Sequence, residues 1–431
     1  MISEIPEKRS AFTHFLLHLH PRTVPAETLR YQLSFGLGGM AAALFVTLVI
    51  TGILQLLSYS PATRSAYQSI QLMYSTHNMA GYVRNIHFWA GNMLVIVSAL
   101  HLLRVYLTGA LSGSRRFNWL VGIIIFLIVL FANFTGYLLP WDQLAYWAVT
   151  IFTNMATYVP VIGGWLIETL RGGVEVGPAT LENFFALHVG ILPAGLIFLL
   201  IWHFWLIRKA GGLIQSPALP GESKKRVAVV PHLIQREAAT GLCLLALLFV
   251  FSALVDAPLA EQANPGESPN PAKAAWYFMG LQELLLHLHP VFAICIIPLL
   301  IIAGFASLPY WPDATLPAAR WFGGKKGARL ALVSVVGSFL TVILAIIIDE
   351  YFFRATTSPQ TEIIWLTRGI LPLMSLGLLM VVFFMVIRKK NNYSKAQAVM
   401  ALIMATSGFI IGLTVVGIWF RGPGMALTWP I

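Results

Sequence analysis

Residues 83–109 read VRNIHFWAGNMLVIVSALHLLRVYLTG and residues 187–212 read LHVGILPAGLIFLLIWHFWLIRKAGG, two very apolar stretches that carry two histidines each. His87 and His101 stand 14 residues apart, and His188 and His203 stand 15 apart. At about 100° per residue, 14 steps leave the second imidazole roughly 40° behind the first and 15 steps roughly 60° ahead, so each pair lies on one helix face. A rise of about 1.5 Å per residue separates the members of a pair by roughly 21 to 22 Å, most of a hydrocarbon core about 30 Å thick. Two such helices side by side make two stacked bis-histidine sites. A flat macrocycle with two axial imidazoles suits each, whereas tetrahedral zinc wants ligands about three to five residues apart. The spacing predicts two haems at two depths.

A lone histidine in a membrane helix is commonly a hydrogen-bonded or proton-carrying group. The matched set carries the haem reading, and a second pattern supports it. Gly38 and Gly52 lie 14 apart in one apolar stretch, and Gly122 and Gly136 lie 14 apart in another. Glycine costs about 1 kcal/mol relative to alanine inside a helix, so glycines repeated at the histidine period predict flat groups packed on bare backbone. Close helix packing in membranes also uses glycine; the shared period favours haem. A proton-relaying transporter would have no use for two matched glycine ladders.

Composition sets the class. The 431 residues are 58% hydrophobic and 10% charged, which is an all-α integral membrane protein and not a soluble domain. Apolar stretches of spanning length fall at about 33–57, 81–107, 119–139, 183–207, 237–256, 290–309, 328–350, 369–387 and 397–420, predicting nine spans. They divide into a four-helix di-haem bundle and about five further transmembrane helices. The start, MISEIPEKRSAF, lacks the apolar core of a cleaved signal peptide.

The net charge of +11 falls on one side. With a cytoplasmic N-terminus and alternating spans, Arg64, Arg84, Arg171, Lys273, Arg354, Arg368 and Arg421 lie outside and the other 21 of the 28 Lys and Arg lie inside. This is the positive-inside pattern, in a bacterial inner membrane. Anionic lipid accounts for the basic side, so no nucleic-acid partner is expected. Cys243 and Cys295 lie in or beside spans and read as packing residues.

The same orientation pairs the ligands. Spans two and four both run inward, so His87 and His188 share the outer depth and His101 and His203 the inner. Arg84 at the outer end, and Arg104 and Arg208 at the inner, are placed to meet haem propionates. The basic connection 209–236, with GG, SP and LPG turn signals, is the boundary candidate. It separates a cytoplasmic N-terminal segment (1–32) and a four-span di-haem domain (33–208) from a C-terminal membrane domain (237–431). The connection after span three is apolar and aromatic at helical spacing, predicting short helices lying in the interface. The one after span five is Pro and Asn rich, then aromatic; both would roof a pocket at the outer haem.

These residues, with TGYLLPWDQLAYWAV (135–149) and PVIGGWLIETLRGG (160–173), resemble the cytochrome b of Rieske/cytochrome b complexes, the quinol:cytochrome c or plastocyanin oxidoreductases. The likeness is specific over about residues 30 to 212. The 15-residue His188–His203 interval resembles the photosynthetic and related bacterial members, in which the remainder is a separate subunit; here it is fused. The resemblance implies quinol oxidation at the outer side. One electron would go to a Rieske iron-sulfur protein and the other through two non-covalent b haems to a quinone near the cytoplasmic face. A c-type cytochrome subunit and a homodimeric complex are further implied partners. Pro140, Trp141, Asp142 and Tyr146 resemble the outer-site helix, and Trp276, Tyr277 and Phe278 the facing loop. Interfacial anchoring is the ordinary use of such aromatics.

Two departures stand out. In the family's outer-site motif a proline and an acid directly precede Trp-Tyr, and the acid accepts a quinol proton; here those places hold Ala274 and Ala275. Glu283, eight residues past Ala275, is the candidate substitute, or else a satisfied acid near the membrane surface. Gly36 stands where photosynthetic-type relatives carry a cysteine that attaches a third haem. At the inner side His18 and His20 are weaker candidates for proton delivery to a quinone, and the recurrence of LHLHP at His287 and His289 reads as coincidence. A di-haem membrane anchor of another oxidoreductase, without electron bifurcation, is the alternative that the altered motif keeps open.

Overall fold

The structure, a computed structural model, describes residues 20–75, 78–217, 224–353, 361–390 and 393–429; His18 lies outside them. The protein is an all-α, multi-pass membrane protein. Among the described residues nine helices are long and apolar enough to cross a membrane: Leu37–Gln55, Met79–Leu107, Gly113–Leu138, Pro178–Lys209, Val229–Leu254, Val291–Tyr310, Lys325–Phe353, Ile363–Lys389 and Lys395–Trp419. They coincide one for one with the nine expected. Several run further than their apolar windows, the fourth starting at Pro178 where hydropathy places 183. Hydropathy registers only the part in hydrocarbon, whereas a helix continues until its terminal backbone groups find other partners.

The sole strand pairing among the described residues joins Thr23–Pro25 to Arg226–Ala228, antiparallel, tying the N-terminal segment to the basic connection. Two short helices, Gln143–Met155 and Gly163–Arg171, follow the third span, as the apolar periodicity of that connection predicts. One buried cluster joins the first four spans: Leu44, Ala90, Leu94, Val129 and Leu196, with Leu248 of the fifth. A larger one runs across the basic connection, packing Tyr106 and Trp119 of spans two and three with Leu308, Leu330 and Met400 of spans six, seven and nine. Trp119 Nε1 also donates to the Phe305 carbonyl at 2.7 Å. The fused part is thus packed on the bundle side. Cys243 is exposed and Cys295 half-buried.

Candidate haem and quinone sites

The periodicity brings the histidines together as pairs across the second and fourth spans. At the end expected to be outer, the His87 and His188 rings have centroids 6.1 Å apart at 72°. An imidazole nitrogen binds a metal at about 2 Å and the ring centre lies about 1 Å behind it, so one metal between two rings sets the centres roughly 6 Å apart. The Nδ1 atoms point away from the partner ring. His87 Nδ1 is 2.9 Å from Thr51 Oγ1, and His188 Nδ1 lies 3.0 Å from the Ala132 carbonyl and 3.1 Å from Thr135 Oγ1. A carbonyl only accepts, so Nδ1 of His188 carries the proton and its Nε2 keeps the lone pair a metal needs.

The four glycines meet the four histidines one to one. A Cβ added at Gly38 would lie 3.2 Å from His101 Cε1, at Gly52 3.2 Å from His87 Cε1, at Gly122 3.8 Å from His203 Cε1 and at Gly136 2.5 Å from His188 Cε1. The ladder therefore seats imidazole edges against bare backbone, a finer task than the clearance for a flat face that its period suggests. Side chains at Gly38, Gly52 and Gly136 would press on the ligands themselves, whereas Gly122 leaves room for a methyl.

At the inner end a cavity is lined by Gly38, His101, Arg104, Arg115, Asn118, Gly122 and His203. Four polar atoms here are buried without a hydrogen-bond partner: His101 Nδ1, His203 Nδ1, Arg104 Nη2 and Asn118 Oδ1. Unpaired buried polar groups cost free energy, so the Arg104 and Asn118 atoms mark a place for a polar ligand. A guanidinium nitrogen beside two imidazoles would suit a propionate and the iron of a haem, while the Asn118 oxygen, an acceptor, calls for a donor. Among the described residues no three His, Cys, Asp or Glu gather as ligands of a bare ion.

The arginines divide. Arg104 donates Nε to the Leu33 carbonyl at 2.7 Å and keeps Nη2 for the cavity. Arg84, the outer candidate, is buried, but its terminal nitrogens donate to Tyr74 Oη at 2.6 Å and to the Ala257 and Pro258 carbonyls at 2.9 and 2.8 Å. It fastens the loop after the fifth span. Arg208 ends the fourth span and is not in the cavity lining, whereas Arg115, which opens the third span, is.

The outer-site residues also meet. Trp141, Tyr146 and Tyr277 share one cluster with Phe134, Phe152 and Phe278. Trp141 stands edge-on to Tyr146 at 5.9 Å, and its φ of +51° is a conformation uncommon for a side-chain-bearing residue. Tyr277 Oη is buried without a partner, while Trp276 Nε1 donates to Asn92 Oδ1 at 2.6 Å. Asp142 is occupied. Its Oδ1 caps Gln143–Met155 by accepting from Ala145 N at 2.9 Å, and its Oδ2 accepts from Ala260 N at 2.9 Å. Burial raises its pKa. Glu283 is fully buried, and its carboxylate faces Arg421 and His287: Arg421 Nη2 is 2.5 Å from Oε1 and His287 Nε2 3.1 Å from the same oxygen. His287 Nδ1 pairs with Asp349 at 2.6 Å, and His289 lies 4.5 Å from the Trp365 ring, so the second LHLHP string has packing roles. Sequence reasoning missed Thr51, Thr135, Asn118, Arg115 and Arg421. For the threonines a signal existed, because each directly precedes an outer glycine.

At Gly36 φ is +65°, and a Cβ would fall 2.9 Å from Thr240 Cγ2 of the fifth span. A side chain there is hindered by conformation and by space. On the same face His20 Nε2 lies 3.6 Å from Glu237.

Comparison with known proteins identifies the family. Residues 24–211 match the family model described as Cytochrome b/b6/petB. Cytochrome b6 of Chlamydomonas reinhardtii is 39% identical over 175 residues, 41% of this chain and 81% of that protein. Cytochrome b6 of Synechococcus elongatus is 38% identical over the same shares. A solved structure, "Hyperthermophilic respiratory Complex III", superposes with a TM-score of 0.63 at 22% identity, covering 89% of this chain and 91% of that one. The chain belongs to the cytochrome b/b6 family. It is a b-haem-binding, electron-transfer oxidoreductase subunit of a membrane.

Proposed function

We propose that this chain is the cytochrome b subunit of a respiratory quinol:cytochrome c oxidoreductase, holding one b haem between His87 and His188 and a second between His101 and His203. The observation that carries this is the repeated unit itself, two imidazoles with a glycine behind each, 6.1 Å apart in one pair and lining a common cavity in the other. Haems bound there would supply one-electron carriers near both faces of the membrane. Thr51, Thr135 and the Ala132 carbonyl orient the outer imidazoles, and Arg104 offers the inner group a donor for a propionate.

The outer quinol pocket in this reading is walled by Trp141, Tyr146, Trp276 and Tyr277. The unpartnered Tyr277 hydroxyl is the polar handle for a quinol oxygen. Asp142 fixes the pocket's rim by joining the two outer connections. A Rieske protein, a c-type cytochrome subunit and a second copy of the complex are the proposed partners, in a bacterial inner membrane with the N-terminus cytoplasmic. Ala274 and Ala275, in place of the family's proline and acid, favour a second reading, a di-haem quinone-reactive anchor without bifurcation. Purification of the native complex tests the choice: a co-purifying Rieske subunit supports the first, and a dehydrogenase or reductase in its place supports the second.

A further inference from the structure

The stretch that matches the family model ends at residue 211, yet the outer aromatic segment is held by the last helix of the fused part. The ninth span, Lys395–Trp419, has 44% of its apolar window buried, the largest share of the nine. It lies along Met279–His287, the helix that continues directly from the Trp276–Phe278 turn. The fit is close. A Cβ at Gly417 would lie 3.0 Å from Met279 Cε, and one at Gly280 2.8 Å from Thr414 Oγ1. Lys273 Nζ donates to the Ile418 carbonyl at 2.8 Å, and Gly424 N donates to Asn270 Oδ1 at 2.5 Å. Just past the span, Arg421 grips Glu283 through Nε and Nη2, both side chains fully buried, and reaches Glu350 at 3.0 Å and the Met425 carbonyl at 3.0 Å through Nη1.

The two faces of the segment divide the work. Phe278 stands edge-on to Phe134 of the third span at 5.5 Å, on the side of the aromatic cluster, while Gly280 and Glu283 turn to the ninth span. We propose that the ninth span and Arg421 are a positioning clamp for the outer-site segment 276–287, with Glu283 as the group it holds and not as a proton acceptor. This rests on the quinol-oxidising reading above. Burial alone would raise the Glu283 carboxyl, but hydrogen bonds from His287 and Arg421 hold it below the usual carboxylate range, which makes it a weak base. A buried charge pair can be exchanged whole for apolar side chains of similar size, whereas removing one partner strands the other. A proton acceptor admits no such exchange.

The test uses the complex purified from membranes, with a short-chain benzoquinol or naphthoquinol as substrate. It records KM, kcat and the b-haem spectrum. Unaltered protein must first show b haems and oxidise quinol; failure there refutes the proposed function and not the clamp. The clamp predicts that Arg421→Met and Glu283→Met each lower kcat/KM by about tenfold to 10²-fold, the scale of a misplaced binding group. It predicts that Glu283→Met/Arg421→Met together returns to within about threefold of the unaltered protein, with both haem bands kept. If the single variants do not assemble, the double variant decides alone. A double variant as slow as Glu283→Met, one without haem, or an Arg421→Met protein of normal kcat/KM would each overturn the proposal.

Discussion

The outer and inner histidine pairs share a helical period but differ in what surrounds the rings. At the outer pair each Nδ1 has an oxygen partner, Thr51 for His87 and Thr135 with the Ala132 carbonyl for His188. At the inner pair neither Nδ1 has one, and the polar groups nearby, Arg104 and Asn118, turn an unpaired atom inward. The distinction is encoded one residue before each glycine: Thr51 and Thr135 precede Gly52 and Gly136, whereas Leu37 and Val121 precede Gly38 and Gly122. Helix periodicity repeats the ligand geometry; the neighbouring residue sets its electronic surroundings. An imidazole that donates to oxygen is the more basic ligand and favours oxidised iron. On this account the outer haem has the lower potential.

The comparison breaks most completely at the ligands. His101→Leu should remove the inner haem and spare the outer, leaving one b haem per chain by pyridine haemochrome, and His87→Leu should do the reverse. Retention of two low-spin b haems in either variant would contradict the pairing. The glycines give a graded contrast. Gly136→Ala places a methyl only 2.5 Å from His188 Cε1 and should deplete the outer haem, while Gly122→Ala, at 3.8 Å from His203 Cε1, should leave the inner haem in place. Equal occupancy in the two variants would show that the seats are alike after all.

Smaller shifts follow at the surrounding residues. Arg104→Gln removes a buried cation beside the inner site, so the inner haem's potential should fall while the outer stays unchanged in a redox titration. Thr51→Val with Thr135→Val removes two hydroxyls and leaves the Ala132 carbonyl. The outer potential should rise by no more than roughly 59 mV, a tenfold change in a one-electron equilibrium. An unchanged outer potential would remove the threonines from the account.

Much of this is legible in the chain because it is periodic. Among the described residues nine apolar windows yield nine spanning helices, and the helix repeat places His87 opposite His188, with a π-helical turn, Leu187–Ile191, inside the longer 15-residue interval. The site's polar partners are less legible because they depend on side chains brought together from far apart in sequence. Arg84 looks like a propionate anchor by its place in the second span, yet it spends its guanidinium on loop carbonyls 173 and 174 residues away. Asp142 reads as a pocket residue and serves as a helix cap whose second oxygen ties down Ala260. Glu283 and Arg421 are 138 residues apart, a pairing that no local pattern announces.

The central claim, two stacked haems held by four histidines of one bundle, is tested most directly by haem stoichiometry and a redox titration on the purified full-length protein. The account predicts two low-spin b haems per chain, both extracted by acidic acetone because neither is covalently attached, titrating as two components with the outer one lower. One haem per chain, a high-spin spectrum, or haem that stays with the polypeptide after extraction would contradict it.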